Sequence, residues 1–161
     1  MRMVNQVSNT ILLRGEIVRG VIRGRELIER FADRLEGILG FRPYPGTLNV
    51  RVEQPVDILD FETKRLEHIL LDGSLWIDAR LAPIKLVHKD KTVNAWIIVE
   101  ERGLHEEDVL EVIHAERLVD VLGLKQGDEV SVILTRQRRT LKSRLRTFLK
   151  PIFPPAPRII R

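Results

Sequence analysis

A stiff corner at residues 43–46 constrains the fold of this chain more than any other sequence feature. Pro43 and Pro45 each fix one φ angle, and Gly46 leaves the next φ angle free, so the backbone turns sharply there. The run that follows, Thr-Leu-Asn-Val-Arg-Val at residues 47–52, is typical of a strand. Side chains two residues apart in a strand share a face. We therefore expect Thr47 and Asn49 to point the same way from a rigid rim.

The pair formed by Thr47 and Asn49 has two interpretations. A hydroxyl and a carboxamide oxygen suit a magnesium ion that keeps some waters and takes its other ligands from nucleotide phosphates. Alternatively, this is a Pro/Gly turn leading into an edge strand, with both side chains capping backbone groups. The residues alone leave both interpretations open.

Hydrophobic periodicity and turn residues predict an alternation of short strands with a few helices. The predicted strands lie at residues 11–18, 75–86 (interrupted at Pro83), 92–99, 109–113 and 129–134. Helices are predicted at residues 25–39, 61–71 and 115–122. The first of them has leucine or phenylalanine at every fourth position and Gly40 at the place of a left-handed C-terminal cap.

This order of elements favours a mainly β, α+β architecture with inserted helices. A doubly wound sheet needs a regular βαβ alternation, and the predicted elements do not follow one. With 161 residues, of which 43% are hydrophobic, the chain is long enough for one well-buried core. We expect one folded domain at residues 1–135 and a separate tail at residues 136–161.

The tail carries most of the positive charge. Of the 27 basic residues, nine lie at 136–161 with no acidic residue among them, which leaves 18 basic against 23 acidic residues in the body. Leu141, Leu145, Phe148 and Leu149 fall on one helical face surrounded by cations, and proline-rich residues follow. Such a basic amphipathic helix suits an anionic membrane surface or a groove on a partner protein. The alternative is a helix packed on the acidic body, and the scarcity of aromatic residues argues against nucleic acid as a partner.

Several classes of chemistry lack support in the sequence. There is no cysteine, so thiolate nucleophiles and zinc–thiolate sites are excluded. Neither a hydrophobic signal segment nor an apolar run long enough to span a bilayer is present, and we expect a cytoplasmic protein. Patterns typical of serine hydrolases, Walker-type NTPases and zinc proteases are missing. His105 and His114 are possible acid–base or metal-binding residues, although the acidic neighbours of His105 at residues 106–108 are more typical of a charged loop.

The segment Phe-Arg-Pro-Tyr-Pro-Gly-Thr-Leu-Asn-Val at residues 41–50 closely resembles the hallmark of the archaeal-type CTP-dependent riboflavin kinases. Three further blocks at residues 15–25, 105–113 and 122–130 occur in the order of that family, so the resemblance spans about residues 11–134. It implies a small β-barrel of the cradle-loop type. It also implies transfer of the γ-phosphate of CTP to the ribityl hydroxyl of riboflavin, which gives FMN, with Mg²⁺ as cofactor.

The resemblance also implies roles for particular residues. Thr47 and Asn49 correspond to the magnesium ligands, whereas Gly103 and Glu111 correspond to positions that contact the flavin. Glu111 would also serve as the catalytic acceptor for a substrate hydroxyl. The positions that correspond to the nucleotide site are Gly20, Val21, Ile22, Arg23, Gly24, Arg25, Glu116, Arg117 and Leu118.

The chain departs from the family pattern at three places. Ile22 replaces the middle glycine of the nucleotide loop, where a Cβ hinders close approach of the backbone to phosphate. Arg19, Arg23 and Arg25 are alternative sources of phosphate contacts. Gly103 replaces a threonine, and Ile113-His114-Ala115 replaces Ile-Ala-Pro. These departures favour two alternatives to a riboflavin kinase: a catalytically inactive barrel that binds a nucleotide or a partner, and a peripheral adaptor that acts through the basic tail.

Overall fold

The computed structural model describes residues 9–20, 23–58, 61, 63–71, 75–101 and 107–135. Its elements, in chain order, are β1 (Thr10–Val18), α1 (Arg23–Arg30), α2 (Ala32–Leu39), β2 (Leu48–Val52), β3 (Lys64–Leu71), β4 (Leu75–His88), β5 (Lys91–Glu100), β6 (Val109–Ile113), α3 (Leu118–Leu122) and β7 (Glu129–Thr135). No helix among these residues has the length and apolar character needed to cross a membrane.

The strands form one antiparallel sheet that closes on itself. Their order is β3-β4-β5-β6-β2-β1-β7, and an additional pairing joins β4 to β7. In that pairing Lys85, Leu86 and Val87 face Ile133, Val132 and Ser131. Six strands therefore make a ring, and β3 lies outside it against the first half of β4. This closed sheet with inserted helices confirms the predicted mainly β, barrel-like α+β architecture.

Alternating side chains of the ring strands build two hydrophobic clusters on opposite faces of the sheet. The first cluster takes residues from all six ring strands, including Leu13, Val50, Ile97 and Val132, and fills the interior. The second cluster lies outside, where Leu27, Ile28 and Leu35 of α1 and α2 pack against Leu66, Ala79, Leu81, Ile98 and Ile113. The two helices thus cover one side of the outer surface, the side that carries the β5–β6 pair.

The helix predicted at residues 61–71 is wrong, because β3 occupies Lys64–Leu71. The leucine and isoleucine spacing there also fits a helix, but β4 offers a strand partner, and Leu66 is fully buried in that pairing. An ion pair between Arg65 Nη2 and Asp78 Oδ2, 2.5 Å apart, links the two strands. Tertiary pairing therefore overrides the local helix preference.

The helix predicted at residues 25–39 is divided in two at Phe31. The backbone of Phe31 leaves helical geometry (φ −109°, ψ 17°), although the Leu35 amide still donates to the Phe31 carbonyl at 2.9 Å. Leu27 and Leu35 are both buried on the sheet, so the bend keeps both halves of the apolar stripe in contact with a curved surface. The predicted cap is confirmed, since Gly40 has φ 81° and its amide donates to the Glu36 carbonyl.

The remaining predicted strands are confirmed, and β4 also continues through Pro83. On the edge of β4 away from β5, pairing with β3 extends to Leu81 and pairing with β7 starts at Lys85. Pro83 lies between these two partners, where no neighbouring strand requires an amide hydrogen. The predicted third helix is shorter than expected and spans Leu118–Leu122.

The ring requires a glycine where β1 lies between β2 and β7. Gly15 pairs with Val52 on one side and with Val130 on the other. A Cβ at Gly15 would lie 2.5 Å from Val50 Cγ1 and 3.0 Å from the Arg51 carbonyl oxygen. Val50 is fully buried, so its methyl group has no free space into which to move.

We predict that Gly15→Ala lowers the free energy of unfolding by about 1–3 kcal/mol, the usual cost of overpacking a core. Gly37→Ala is the matched control, because Gly37 is exposed on α2 and a Cβ there would meet no other atom within 4 Å. It should raise the free energy of unfolding by about 0.5–1 kcal/mol. Urea denaturation of both variants measures the difference, and equal stabilities would contradict the packing described for Gly15.

Candidate active site

Two buried polar side chains face each other on the outer surface of the ring. Asn49 of β2 is the direct cross-strand partner of Glu111 of β6, and the two are 5% and 8% exposed. Residues directly opposite in an antiparallel pair share a face of the sheet. Their neighbours Val50 and Leu110 point into the interior cluster, so Asn49 and Glu111 point outward. Strand alternation thus places a carboxamide and a carboxylate side by side on a largely apolar sheet.

Two glycines bring the backbone of the β1–α1 connection onto this polar pair. A Cβ at Gly24 would lie 2.6 Å from Thr47 Oγ1 and 3.3 Å from Glu111 Oε1. A Cβ at Gly20 would overlap the Asn49 carboxamide nitrogen. The structure therefore brings Thr47, Asn49 and Glu111 together beneath Gly20 and Gly24. The expectation that Thr47 and Asn49 share one face agrees with this arrangement.

The N-terminus of α1 lies over the same group of side chains. Gly24 is the second residue of α1 (Arg23–Arg30) and is buried against Thr47 and Glu111. The first amides of a helix have no intrahelical acceptor and carry a partial positive charge. A negatively charged group bound here would meet backbone N–H donors as well as the side chains of the sheet.

The rim at residues 41–46 is held at two points. The Tyr44 amide donates to the His114 carbonyl at 2.8 Å, which ties the rim to the end of β6. Arg42 Nη1 lies 2.7 Å from Asp33 Oδ1 and 3.1 Å from Glu36 Oε2 of α2. Hydrogen bonds to Asp33 and then to Glu36 raise the pKa of the Arg42 guanidinium above its ordinary value. These contacts fix the position of the corner that the prolines predict.

A cleft of about 150 Å³ opens between this rim and the segment after β6. Its lining includes Tyr44, Gly46 and Thr47 on one side and His114, Glu116, Arg117 and Leu118 on the other. Thr47 belongs both to this cleft and to the polar group under Gly24. Thr47 is therefore the residue that the cleft and the polar group share.

The structure places the other predicted site residues as follows. Glu116, Arg117 and Leu118 line the cleft, and Arg117 Nη1 lies 3.2 Å from Asp120 Oδ1. The exposed Arg25 forms an ion pair with Glu29, 3.0 Å away and one turn along α1. Predicted residues that lie outside the described part of the chain are Val21, Ile22, Gly103, His105 and the tail at 136–161.

Sequence reasoning misses two residues that form the walls of the cleft. The sequence presents Tyr44 only as part of the turn, and His114 as a possible acid–base residue and a departure from the family pattern, yet both line the cleft. The signal for Tyr44 is its place inside the stiff corner. The signal for His114 is its replacement of a small residue directly after a predicted strand.

The donor atoms present fit a magnesium ion that is shared with a phosphate ligand. Thr47 offers a hydroxyl and Asn49 a carboxamide oxygen, which are hard oxygen ligands that suit Mg²⁺, and Glu111 adds a negative charge beside them. Among the described residues, no three His, Cys, Asp or Glu side chains cluster closely enough to hold a metal ion. An ion in this site would therefore take part of its coordination from water and from a bound nucleotide.

We predict that Gly24→Ala destabilises the protein, because its methyl group would displace Thr47 Oγ1 and press on Glu111. Alanine raises helix propensity by about 1 kcal/mol, but overpacking costs about 1–3 kcal/mol, so the expected net loss is about 1 kcal/mol. Urea denaturation of this variant and of Gly37→Ala, the same substitution in α2, separates the gain in helix propensity from the cost of overpacking. A gain in stability like that of Gly37→Ala would show that the space above Thr47 is open.

Comparison with known proteins finds relatives over most of the chain. Residues 17–134 match the family model for CTP-dependent riboflavin kinases, which carries the description "Domain of unknown function DUF120". The riboflavin kinase of Archaeoglobus fulgidus is 36% identical over 134 residues, which cover 79% of this chain and 57% of that protein. That of Thermococcus kodakarensis is 29% identical over 130 residues (78% and 59%), and that of Pyrobaculum islandicum 32% identical over 126 residues (76% and 60%).

This chain spans somewhat less than two thirds of the length of these curated relatives. The matched region nevertheless runs from the end of β1 nearly to the end of β7 and contains most of the ring, the whole rim and the cleft. On this evidence, the chain belongs to the CTP-dependent riboflavin kinase family.

Proposed function

We propose that this protein transfers the γ-phosphate of CTP to the terminal ribityl hydroxyl of riboflavin, giving FMN and CDP, in a Mg²⁺-dependent reaction. The observation that carries the proposal is the convergence of Thr47, Asn49 and Glu111 beneath the glycines at positions 20 and 24, beside a cleft. The names of the similar proteins, all riboflavin kinases, support the choice of reaction.

Phosphoryl transfer depends on positioning and on electrostatic stabilisation more than on covalent chemistry by the protein. At Gly20 and Gly24 the missing Cβ lets the backbone lie directly against Asn49 and Thr47, so a phosphate that binds beside these side chains would also be close to backbone N–H groups. The N-terminus of α1 adds a favourable local field for the triphosphate. These features bind and orient the donor with its γ-phosphate near Thr47.

Among the residues that the structure describes, Glu111 has the carboxylate that lies closest to Thr47 in this group, where it can accept a proton or a hydrogen bond from a substrate hydroxyl. It is buried beside Asn49, and its Oε1 lies under the backbone of Gly24 close to Thr47. We assign to it the orientation of the acceptor hydroxyl and the acceptance of its proton as the O–P bond forms. Thr47 and Asn49 would hold Mg²⁺, which when bound neutralises charge on the phosphates.

The departures from the family pattern at Ile22, Gly103 and His114 favour a second candidate function, a barrel that binds a nucleotide without turnover. The two candidates differ in one measurement. An inactive barrel is stabilised by CDP or CTP in a thermal shift assay but forms no FMN, whereas a kinase gives both results.

We predict that the protein forms FMN from riboflavin when it is incubated with Mg²⁺ and CTP, and much less FMN with ATP. Chromatography with flavin fluorescence detection follows the product, and omission of Mg²⁺ should abolish it. Absence of FMN with either nucleotide, together with absence of CDP binding by calorimetry, would refute the enzymatic function.

Within that assay, Thr47→Val should lower kcat/KM by roughly 10–100-fold, since it removes one charge-assisted oxygen contact and keeps the shape of the side chain. Thr92→Val is the matched control, because Thr92 is exposed at the start of β5 and pairs with Val87 away from the cleft. The control should keep full activity. Equal rates for both variants would remove Thr47 from the metal site.

We propose separately that the basic tail at residues 136–161 binds an anionic membrane surface. The folded body does not need the tail to close its sheet, because the ring already closes with β7, which ends at Thr135. Deletion of residues 136–161 should leave the melting temperature and the CTP affinity of the body within experimental error. It should at the same time abolish co-sedimentation with anionic vesicles, because it removes nine cations. Identical sedimentation of the full and shortened chains would exclude the vesicle surface as a partner of the tail.

A further inference from the structure

His114 stands at the point where β6 ends and the cleft begins. It is partly buried, it lines the cleft, and its carbonyl accepts the Tyr44 amide of the rim. Its ring also closes a short turn, because the Glu116 amide lies 3.0 Å from His114 Nδ1. The residue thus contacts both walls of the cleft.

This turn determines which nitrogen of the neutral His114 ring carries the proton. His114 Nδ1 lies 3.0 Å from the Glu116 amide nitrogen and 3.3 Å from the Glu116 carbonyl oxygen. A backbone N–H can only donate, so the shorter contact requires Nδ1 to be the acceptor. The ring proton is then on Nε2, which leaves His114 with an N–H donor that the turn does not use.

The cleft has the size and the walls for one planar six-membered ring. A cavity of about 150 Å³ accommodates a ligand of the size of benzene, and this cleft has that volume. Leu48, Val112 and Leu118 supply apolar lining, and Tyr44 supplies an aromatic ring that is 37% exposed. A pyrimidine ring placed here would therefore have contacts with more than one wall of the cleft.

We propose that His114 recognises the pyrimidine base of the nucleotide, with its Nε2–H donating to the acceptor edge of a cytosine ring that lies against Tyr44. The inference rests on the proposed function, and it adds to it a base-binding residue at a position where the family pattern has alanine. Cytosine presents O2 and N3 as adjacent acceptors. Uracil carries a hydrogen on N3, which opposes an N–H donor placed at that edge.

The proposal also explains how this chain could bind a nucleotide although Ile22 replaces a glycine in its nucleotide loop. A contact to the base adds affinity at the end of the nucleotide that is remote from the loop. One hydrogen bond changes a dissociation constant by roughly 3–10-fold. One stacked aromatic ring changes it by roughly tenfold or somewhat more.

The test compares two substitutions of His114 in the full chain. His114→Ala removes both the turn contact and the Nε2 donor. His114→Asn keeps an acceptor for the Glu116 amide, because Asn side chains commonly bond the amide two residues on, but it is too short to place a donor in the cleft. Calorimetry with CDP, UDP and ADP, and fluorescence titration with riboflavin, measure the two ligand sites separately.

We expect both variants to bind CDP about 3–10-fold more weakly than the unmodified chain, with a smaller preference for CDP over UDP. Riboflavin affinity should stay within about twofold, since the proposal places the nucleotide base, and not the flavin, in this cleft. Tyr44→Ala should weaken CDP binding roughly tenfold. Tyr44→Phe, which keeps the aromatic ring, should bind CDP as tightly as the unmodified chain.

Three results would overturn the inference. If His114→Asn binds CDP like the unmodified chain, His114 serves the turn alone, whatever His114→Ala does. If the unmodified chain forms FMN from CTP while neither variant changes CDP affinity, the inference fails and the proposed kinase function stands. If the unmodified chain neither binds CDP nor forms FMN, both fail.

Discussion

The pairing of β4 with β7 is the constraint on which the rest of the structure depends. Closure of the sheet gives every ring strand an inner face that must be filled with apolar side chains, and the first cluster fills it. With the interior committed to packing, polar side chains on these strands can point only outward. Asn49 and Glu111 therefore lie on the outer face because their neighbours Val50 and Leu110 are needed inside.

The outer face would be a poor place for a site if water covered it freely, because solvent weakens electrostatic interactions. The β1–α1 segment and α1 reduce its exposure. They cover the polar pair with backbone at Gly20 and Gly24 and then continue into Leu27 and Ile28 of the second cluster. The same helix thus anchors itself on apolar residues and holds its N-terminus over the polar ones. Stability and site geometry come from one packing interaction.

Sequence reasoning predicts what is local and fails where contacts are distant in the chain. The shared face of Thr47 and Asn49 follows from the period of two in a strand, and the corner before them follows from proline and glycine. The register that sets Asn49 opposite Glu111 joins segments about 60 residues apart, which no local pattern encodes. For the same reason the local pattern at residues 64–71 predicts a helix, since the strand partner of that segment in β4 is not visible locally.

In the proposed reaction the nucleotide has its phosphate end near Thr47 and its base end near His114, and this division has a consequence for rate as well as for affinity. Contacts to a base are made equally in the ground state and in the transition state, so the proposed contact from His114 would lower KM and leave kcat unchanged. The proposed contacts to the γ-phosphate at Gly24 and Thr47 would act where charge rearranges and so would affect kcat. A gain at His114 can therefore restore nucleotide affinity after the loss of a loop glycine at position 22, but it cannot restore transition-state stabilisation lost there. Under the proposed function, a chain with this combination of residues would bind CTP well and turn it over more slowly than a relative with the complete glycine loop.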